Sequence, residues 1–307
     1  MAGSKSFVSG TGAVNVDLLF EGLTRLPGEG EEIFSKALSL RLGGGVPATL
    51  VNLAGLGVPV RLQTALGEDM FSDFARREFQ KSGVPFTELH TDWELPLNVT
   101  AALLTPGERT FVSCSGAGSV TEAMRQQIYD CSKGASIVSM SPGYLDVYQQ
   151  LKREGAILVL DMGWEDDLSL EKWKDYFRLA DFYLPNRKEA WKLTGKSEPE
   201  EAVRVLADWF DISVVKADGD GCYYCECGEV HHIPGIREFP FRDSTGAGDA
   251  FYAGFLYGLY HGASIAQCIR YGNITGAKCV SAVGCLTERC TESSLQDLVV
   301  KCYGKTE

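Results

Sequence analysis

Positive charge is scarce in this 307-residue chain: 29 lysines and arginines stand against 41 aspartates and glutamates, a net charge of −12. Nucleic acids and anionic membranes are bound by clustered positive charge, so neither is expected as a partner. An anionic small ligand stays open, because backbone dipoles that do not appear in the net charge can hold it. Long apolar runs are lacking as well. None approaches the ~18 residues of a membrane span, and no basic stretch followed by a long apolar run opens the chain. The ten cysteines are scattered and too few for a disulfide scaffold at this length, so reduced thiols and a cytoplasmic location are expected. There is no internal repeat, low-complexity tract or linker. About 150 residues per domain would give about two domains, but α/β folds often run longer as one unit, and a single domain over 1–307 is expected.

What is present is a regular alternation. Residues 7–14 read as a first strand, and 47–56 as a helix entered through Gly43, Gly44 and Gly45, with Pro47 in the first turn where proline is tolerated. Asp69 is placed to cap a helix whose Phe71, Phe74, Ala75 and Phe79 share a face. Residues 97–104 and 110–114, joined through Pro106-Gly107-Glu108, read as a hairpin. From Ile137 onward short apolar strands (137–140, 157–160, 182–184, 212–215) alternate with amphipathic helices, the pattern of a parallel sheet covered by helices. A hairpin over 221–233, helices over 247–260 and 264–283, and a last helix from about 293 follow. The strand-rich stretches near 17–42 and 94–114 are expected to form a small β-layer beside the main sheet.

Four segments carry chemistry. In Asp243-Ser244-Thr245-Gly246-Ala247-Gly248-Asp249, two glycines let the backbone approach a ligand and turn its N–H groups toward one point, and the helix that begins there adds its positive dipole end. Asp249, in the first turn, is placed to take a proton from a hydroxyl attacking a phosphorus held in that cradle. Asn186-Arg187-Lys188-Glu189 follows the strand at 182–184. It puts an amide and a carboxylate where α/β sheets bind ligands, with Glu189 suited to a hydrated Mg²⁺; a helix cap with its reciprocal Glu explains the same residues. Lys216-Ala217-Asp218-Gly219-Asp220-Gly221 fits either a turn over a nucleotide base or a plain hairpin turn. Asn15 and Asp17, with Gly43 to Gly45, fit a polyhydroxyl ligand or an Asx turn beside a flexible loop.

In this order the four segments resemble the ribokinase-like (PfkB-type) carbohydrate kinases over essentially the whole chain. Residues 243–256 fit the C-terminal signature of that family without a gap, Asn186 to Glu189 match its Asn-x-x-Glu element, Gly44-Gly45-Val46-Pro47-Ala48 its Gly-Gly element, and Gly107-Glu108-Arg109-Thr110 its lid hairpin. Three points depart from it: Thr49 stands where Asn is usual, the stretch from there to Leu56-Gly57 is one residue short, and Asp218 replaces the first glycine after Lys216.

The resemblance implies a three-layer α/β/α fold with a mainly parallel central sheet and a small β-sheet lid from approximately 15–42 and 94–115. It implies transfer of the γ-phosphoryl group of ATP to a hydroxyl of a fructose-like ketose or a related sugar or sugar acid, with a nucleoside as the alternative acceptor. Asp249 would be the base, and Gly246, Ala247 and Gly248 the anion hole. Asn15, Asp17, Gly44, Gly45 and Thr49 would face the sugar. Asn186, Lys216, Asp218, Gly221, Gly246, Gly248 and Asn273 would hold ATP, and Glu189 would hold Mg²⁺ through water. Asp243, Thr245, Ala282 and Gly284 would surround a monovalent cation such as K⁺, and two lids would pair in a homodimer. Retention of Asp249, both glycines and Glu189 argues against a catalytically silent binding relative.

Three weaker signals are set aside. Cys222, Cys225 and Cys227, with His231 and His232, suggest zinc, but strand alternation puts Cys222 and Cys225 on opposite faces. Gly10-Thr11-Gly12 lacks the third glycine of a dinucleotide fingerprint. Trp191, Trp209, Tyr257 and Tyr260 sit at helical positions and read as packing residues.

Overall fold

The computed structural model describes residues 7–304 apart from Gly107, Ala117 and Asp161. The first half of the chain runs β1 (Val8–Thr11), β2 (Asn15–Glu21), β3 (Ala37–Gly43), α1 (Gly45–Gly55), β4 (Val60–Thr64), α2 (Met70–Ser82), β5 (Phe86–Glu88), β6 (Asn98–Thr105), β7 (Glu108–Cys114) and α3 (Glu122–Ser132). The second half runs β8 (Ile137–Met140), α4 (Leu145–Arg153), β9 (Ile157–Leu160), α5 (Lys174–Leu179), β10 (Phe182–Tyr183), α6 (Arg187–Thr194), α7 (Pro199–Leu206), β11 (Ile212–Lys216), β12 (Cys222–Glu226), β13 (Glu229–Ile233), α8 (Ala247–Tyr260), α9 (Ile265–Cys279) and α10 (Glu292–Tyr303).

Six parallel strands form the central sheet in the order β10-β9-β8-β1-β4-β5. Every residue of β1 and β8 is buried, as required of strands covered on both faces. Successive residues alternate between two cores. Ile137 and Val159 pack with α1, α8 and α9, whereas Val138, Leu158 and Leu160 pack with α3, α4 and α7. The result is three layers. The antiparallel strands β11, β12 and β13 prolong the sheet beyond β10, because the Lys216 N–H donates to Pro185 O (2.9 Å) and Asn186 bridges to Lys216 in parallel. A separate sheet of order β3-β2-β6-β7, with β2 and β6 parallel and its outer pairs antiparallel, stands beside the C-terminal ends of the central strands.

Several boundaries differ from the sequence expectation. The first strand ends at Thr11, not at 14. Val14 O accepts from Asn98 N (2.8 Å), which carries the chain into the second sheet, so Asn15 and Asp17 lie in β2 rather than at the exit of β1. The helix expected over 264–283 stops at Cys279, where Ser281 N and Ala282 N donate to Lys278 O and Cys279 O in a tightened last turn. The helix α3, unassigned from sequence, is capped by Thr121, whose hydroxyl accepts from Met124 N (3.2 Å). Asp69 caps α2 through Phe71 N (2.8 Å) and Ser72 N (3.0 Å). The turn at Gly107 lies outside the described residues.

The two helices that shape the ligand side touch almost backbone to backbone. A Cβ on Gly254 of α8 would collide with Thr275 Oγ1 and Tyr271 O of α9, and one on Gly258 would come within 2.6 Å of Cys268 Sγ. Gly254→Val must therefore separate α8 from α9. We expect a loss of about 3 kcal/mol in urea unfolding, at the upper end of overpacking costs; a variant within about 0.5 kcal/mol of wild type, the range of an indifferent surface change, would show that the contact is not demanding.

Candidate active site

A cleft of about 650 Å³ opens at the C-terminal ends of the central strands, between the β10–α6 and β11–β12 turns on one side and α8 and α9 on the other. Asn186, Lys216, Asp218, Gly221, Gly248 and Asn273, all expected near ATP, line it together with Ala247 of the expected anion hole, whereas Gly246, also expected there, is not among its lining residues.

The start of α8 forms its floor. Gly246 is the N-cap, with φ 76°, and a Cβ there would collide with Cys285 Cβ, so both conformation and packing require glycine. Gly248 is glycine for a different reason. The nearest atom to a Cβ at that position is Lys216 Nζ at 3.5 Å, an ordinary contact, so folding does not impose it and its open side faces the cleft. The same distance puts the Lys216 ammonium over the helix N-terminus. Asp249 follows in the first turn.

Thr49 does not face a ligand. It is fully buried, and its hydroxyl donates to Asp249 O (3.3 Å), so it braces the start of α8 from α1. Asn186 and Glu189 form the reciprocal cap: Glu189 N donates to Asn186 Oδ1 (3.0 Å), while Asn186 N and Nδ2 donate to the Glu189 carboxylate (2.8 and 2.7 Å). Asn186 nevertheless lines the cleft, so the cap and a place at the ligand are compatible. Asn273 spends its amide on Pro234 O (3.1 Å) and Tyr303 Oη (3.0 Å), fixing the segment after β13 against α9. Asp218, in the usual glycine position, adopts φ 52°.

Sequence reasoning missed the apolar wall. Ile236, Phe239 and Phe241 face Gly272, Gly276 and Ala277 across the cleft. The available signals were two phenylalanines flanking Pro240 just before the glycine motif, and small residues at helical spacing in α9.

On the other side of α8 lies a polar chain. Ser113 and Thr100 share a hydrogen bond (2.9 Å), Thr100 donates to Asn15 Oδ1 (3.1 Å), and the Asn15 amide donates to Asp17. Thr100 and Ser113 were not foreseen; they sit opposite each other on β6 and β7. Asp17 is buried, and a Cβ on Gly43 would lie 3.1 Å from its Oδ2. Gly44 (φ 100°) and Gly45 follow at the entry to α1. Burial pushes the Asp17 carboxyl up, the Asn15 amide opposes this, and the charge of Asp243 adds to it, with the result at about 6. The Cys285 thiol is pushed well up by burial, then by the charges of Asp249, Cys279 and Asp17.

The residues expected around a monovalent cation are engaged otherwise. Asp243 Oδ1 accepts from Thr245 N (2.9 Å) and Thr245 Oγ1 (2.8 Å), and Oδ2 accepts from Gly284 N (2.9 Å). The Arg109 guanidinium of β7 is paired to the same Oδ1. Burial raises the Asp243 carboxyl, but the Gly284 and Thr245 amides, the Thr245 hydroxyl and Arg109 together outweigh it and hold it below the usual range. Ala282 lies on the same turn as Gly284, with its N–H on Cys279 O. Both oxygens of the one carboxylate are thus occupied and a cationic side chain is already present, so these residues do not fit K⁺. The thiols of β12 are split between the two cores, Cys222 in one and Cys225 in the other, and His231 and His232 stack on Tyr224 and Tyr223.

The fold that carries this cleft can be set beside known proteins. The sequence model of the pfkB family of carbohydrate kinases matches residues 10–291. The fructokinase of Escherichia coli is 28% identical over 273 residues, covering 80% of this chain and 87% of that protein. The aminoimidazole riboside kinase of Salmonella typhimurium is 28% identical over 272 residues, covering 81% and 85%. The structure of Arabidopsis thaliana ribokinase complexed with ribose and ATP superposes with a TM-score of 0.82 at 22% identity, over 96% of this chain and 99% of that one. The chain belongs to the pfkB family of carbohydrate kinases and is an ATP-dependent sugar kinase.

The raised Asp17 carboxyl makes a signed prediction. Below about pH 3 the group is protonated in folded and unfolded chains alike, and Asp17→Asn should change stability little. As pH rises through about 6 the wild type must ionise a buried carboxyl and loses stability that the Asn variant keeps. Urea unfolding at neutral pH should find Asp17→Asn more stable by up to about 3 kcal/mol. Equal stabilities across that range would mean that Asp17 ionises as if in water.

Proposed function

We propose that the chain phosphorylates a hydroxyl of a fructose-like ketose or a related sugar acid, with ATP as donor and Asp249 as the base. The observation that carries this reading is the position of Asp249. It stands in the first turn of α8, next to Gly248, over which Lys216 Nζ stands, while Cys285 packs against Gly246 on one hand and against Gly43 beside Asp17 on the other. The run Ser113, Thr100, Asn15, Asp17 supports a ligand rich in hydroxyls, since it offers alternating donors and acceptors on one sheet face. The apolar slot between Phe239, Phe241 and the small residues of α9 would take the adenine, and the amides of Gly246 to Gly248 with Lys216 the phosphates.

Phosphoryl transfer passes through a loose transition state, so the base need not ionise the alcohol beforehand. Asp249 must lie within hydrogen-bond reach and take the proton as the new bond forms. The helix dipole favours negative charge at its first turn, and the same dipole faces the migrating group. Glu189 and Asn186 would hold Mg²⁺ through water, a donor set suited to an ion that keeps its hydration shell. Bound there, Mg²⁺ would neutralise phosphate charge.

On this reading the whole chain is one kinase domain and the β3-β2-β6-β7 sheet is its lid. Leu38, Phe111 and Val112, exposed on that sheet, support pairing of two copies through it; light scattering should give twice the chain mass, and a monomer at every concentration would refute the pairing.

Two measurements test the activity. ADP release should be found with ketoses or sugar acids in an acceptor panel; turnover with nucleosides alone would move the substrate class. Asp249→Asn should lower kcat by about 10²–10⁴-fold, the usual worth of a general base, with ATP binding largely intact. A folded variant keeping more than about a tenth of wild-type kcat would remove Asp249 from the role.

A further inference from the structure

Arg109 reaches from the small sheet to the loop that leads into the anion hole. Its Nη1 is held by Asp243 Oδ1 and Thr245 Oγ1, and its Nη2 donates to Ser244 Oγ (2.8 Å). These partners are 134 to 136 residues away in sequence and immediately precede Gly246. One guanidinium thus grips three consecutive residues, a use of its planar fork that a spherical ion or a lysine cannot copy. The Phe111 ring lies 5.7 Å from the guanidinium carbon and limits its swing. Asp243 is in turn fixed by Gly284 N, so the charge is tied to both walls behind α8.

The place is one where positive charge matters. A phosphoryl group in transfer spreads negative charge over its oxygens, and a fixed cation beside the cradle stabilises that charge without reorganising. A second cation on Asp243 would meet the guanidinium at ion-pair distance.

We infer that Arg109 supplies from the small sheet the fixed positive charge that the family resemblance assigns to a monovalent cation, and that phosphoryl transfer by this chain is indifferent to K⁺. Arg109 is a positioning residue: it acts through Asp243, Ser244 and Thr245. It also ties the small sheet to the anion-hole loop, so closure and charge arrive together. The rate measurement rests on the kinase reading above; the melting measurement does not.

The test compares wild type, Arg109→Ala and Arg109→Lys in potassium chloride and in tetramethylammonium chloride at equal ionic strength. Melting temperature is read on each protein alone, and ADP release with ATP and D-fructose as the acceptor. Wild type should show the same rate and no potassium-specific rise in melting temperature. Arg109→Ala frees one face of the Asp243 carboxylate. It should be slower by about tenfold or more in tetramethylammonium, regain part of the loss in potassium, and melt higher there. Arg109→Lys keeps the charge and should stay indifferent. Activation or stabilisation of wild type by potassium would overturn the inference, as would an Arg109→Ala protein that ignores potassium in both readouts or a Lys variant that responds to it as strongly as the Ala variant. Absence of turnover with D-fructose in every salt would count against the acceptor proposed above, and the melting comparison would then decide the inference by itself.

Discussion

The start of α8 is pinned from three directions, and the cleft depends on that pinning. Gly246 lies flat against Cys285, Thr49 holds the carbonyl of Asp249, and Gly254 and Gly258 press the helix onto α9. A helix terminus offers an anion little unless its amides are held in place, because an ordering cost at the moment of binding would offset the gain. Here the packing of the folded chain has already met that cost. The glycines of α8 therefore serve two ends: those inside the helix bring the backbones of α8 and α9 together, and those at its start shape the cradle that the contact holds still.

Charge is arranged with the same economy. The chain is strongly acidic, yet two cationic side chains, Lys216 and Arg109, stand beside the start of α8. They come from elements far apart in sequence and approach from opposite sheets. Two buried carboxylates, Asp17 and Asp243, lie close enough to affect each other but are tuned in opposite directions. Asp17 has the Asn15 amide and is raised; Asp243 has two backbone amides, a hydroxyl and a guanidinium, and is depressed.

What the sequence revealed was local. The 243–249 motif was readable because a glycine-rich turn and a helix start within seven residues require no knowledge of the rest of the chain. The alternation after Ile137 and the cap at Asp69 were readable for the same reason. What it hid depended on partners elsewhere. Thr49 was assigned to the sugar, but its role is set by a carbonyl 200 residues away. Lys216 was expected at ATP, but that its ammonium lies over Gly248 depends on a helix start 30 residues further along the chain and could not be read locally. Gly246 and Gly248 look alike in the motif, though only the first is imposed by protein packing. The guanidinium paired with Asp243 was not foreseen, because nothing local to that residue announces Arg109.

The pairing of β2 with β6 sets the order in which the site comes into being. Asn15 lies opposite Asn98 in a parallel register, with β3, α1, β4, α2 and β5 between them along the chain. A loop of that length closes at an entropic cost that grows only slowly with length, but the closure is slow to find. During synthesis β2 therefore waits without its central partner until β6 has emerged, and the contact of Arg109 with Asp243 waits longer still. The polar pocket is a product of long-range assembly within the first 114 residues, and the cradle at α8, which leans on Thr49, α9 and Cys285, is completed only after it. A truncated chain ending before α8 would carry the polar pocket of the small sheet without the helix that bears Asp249.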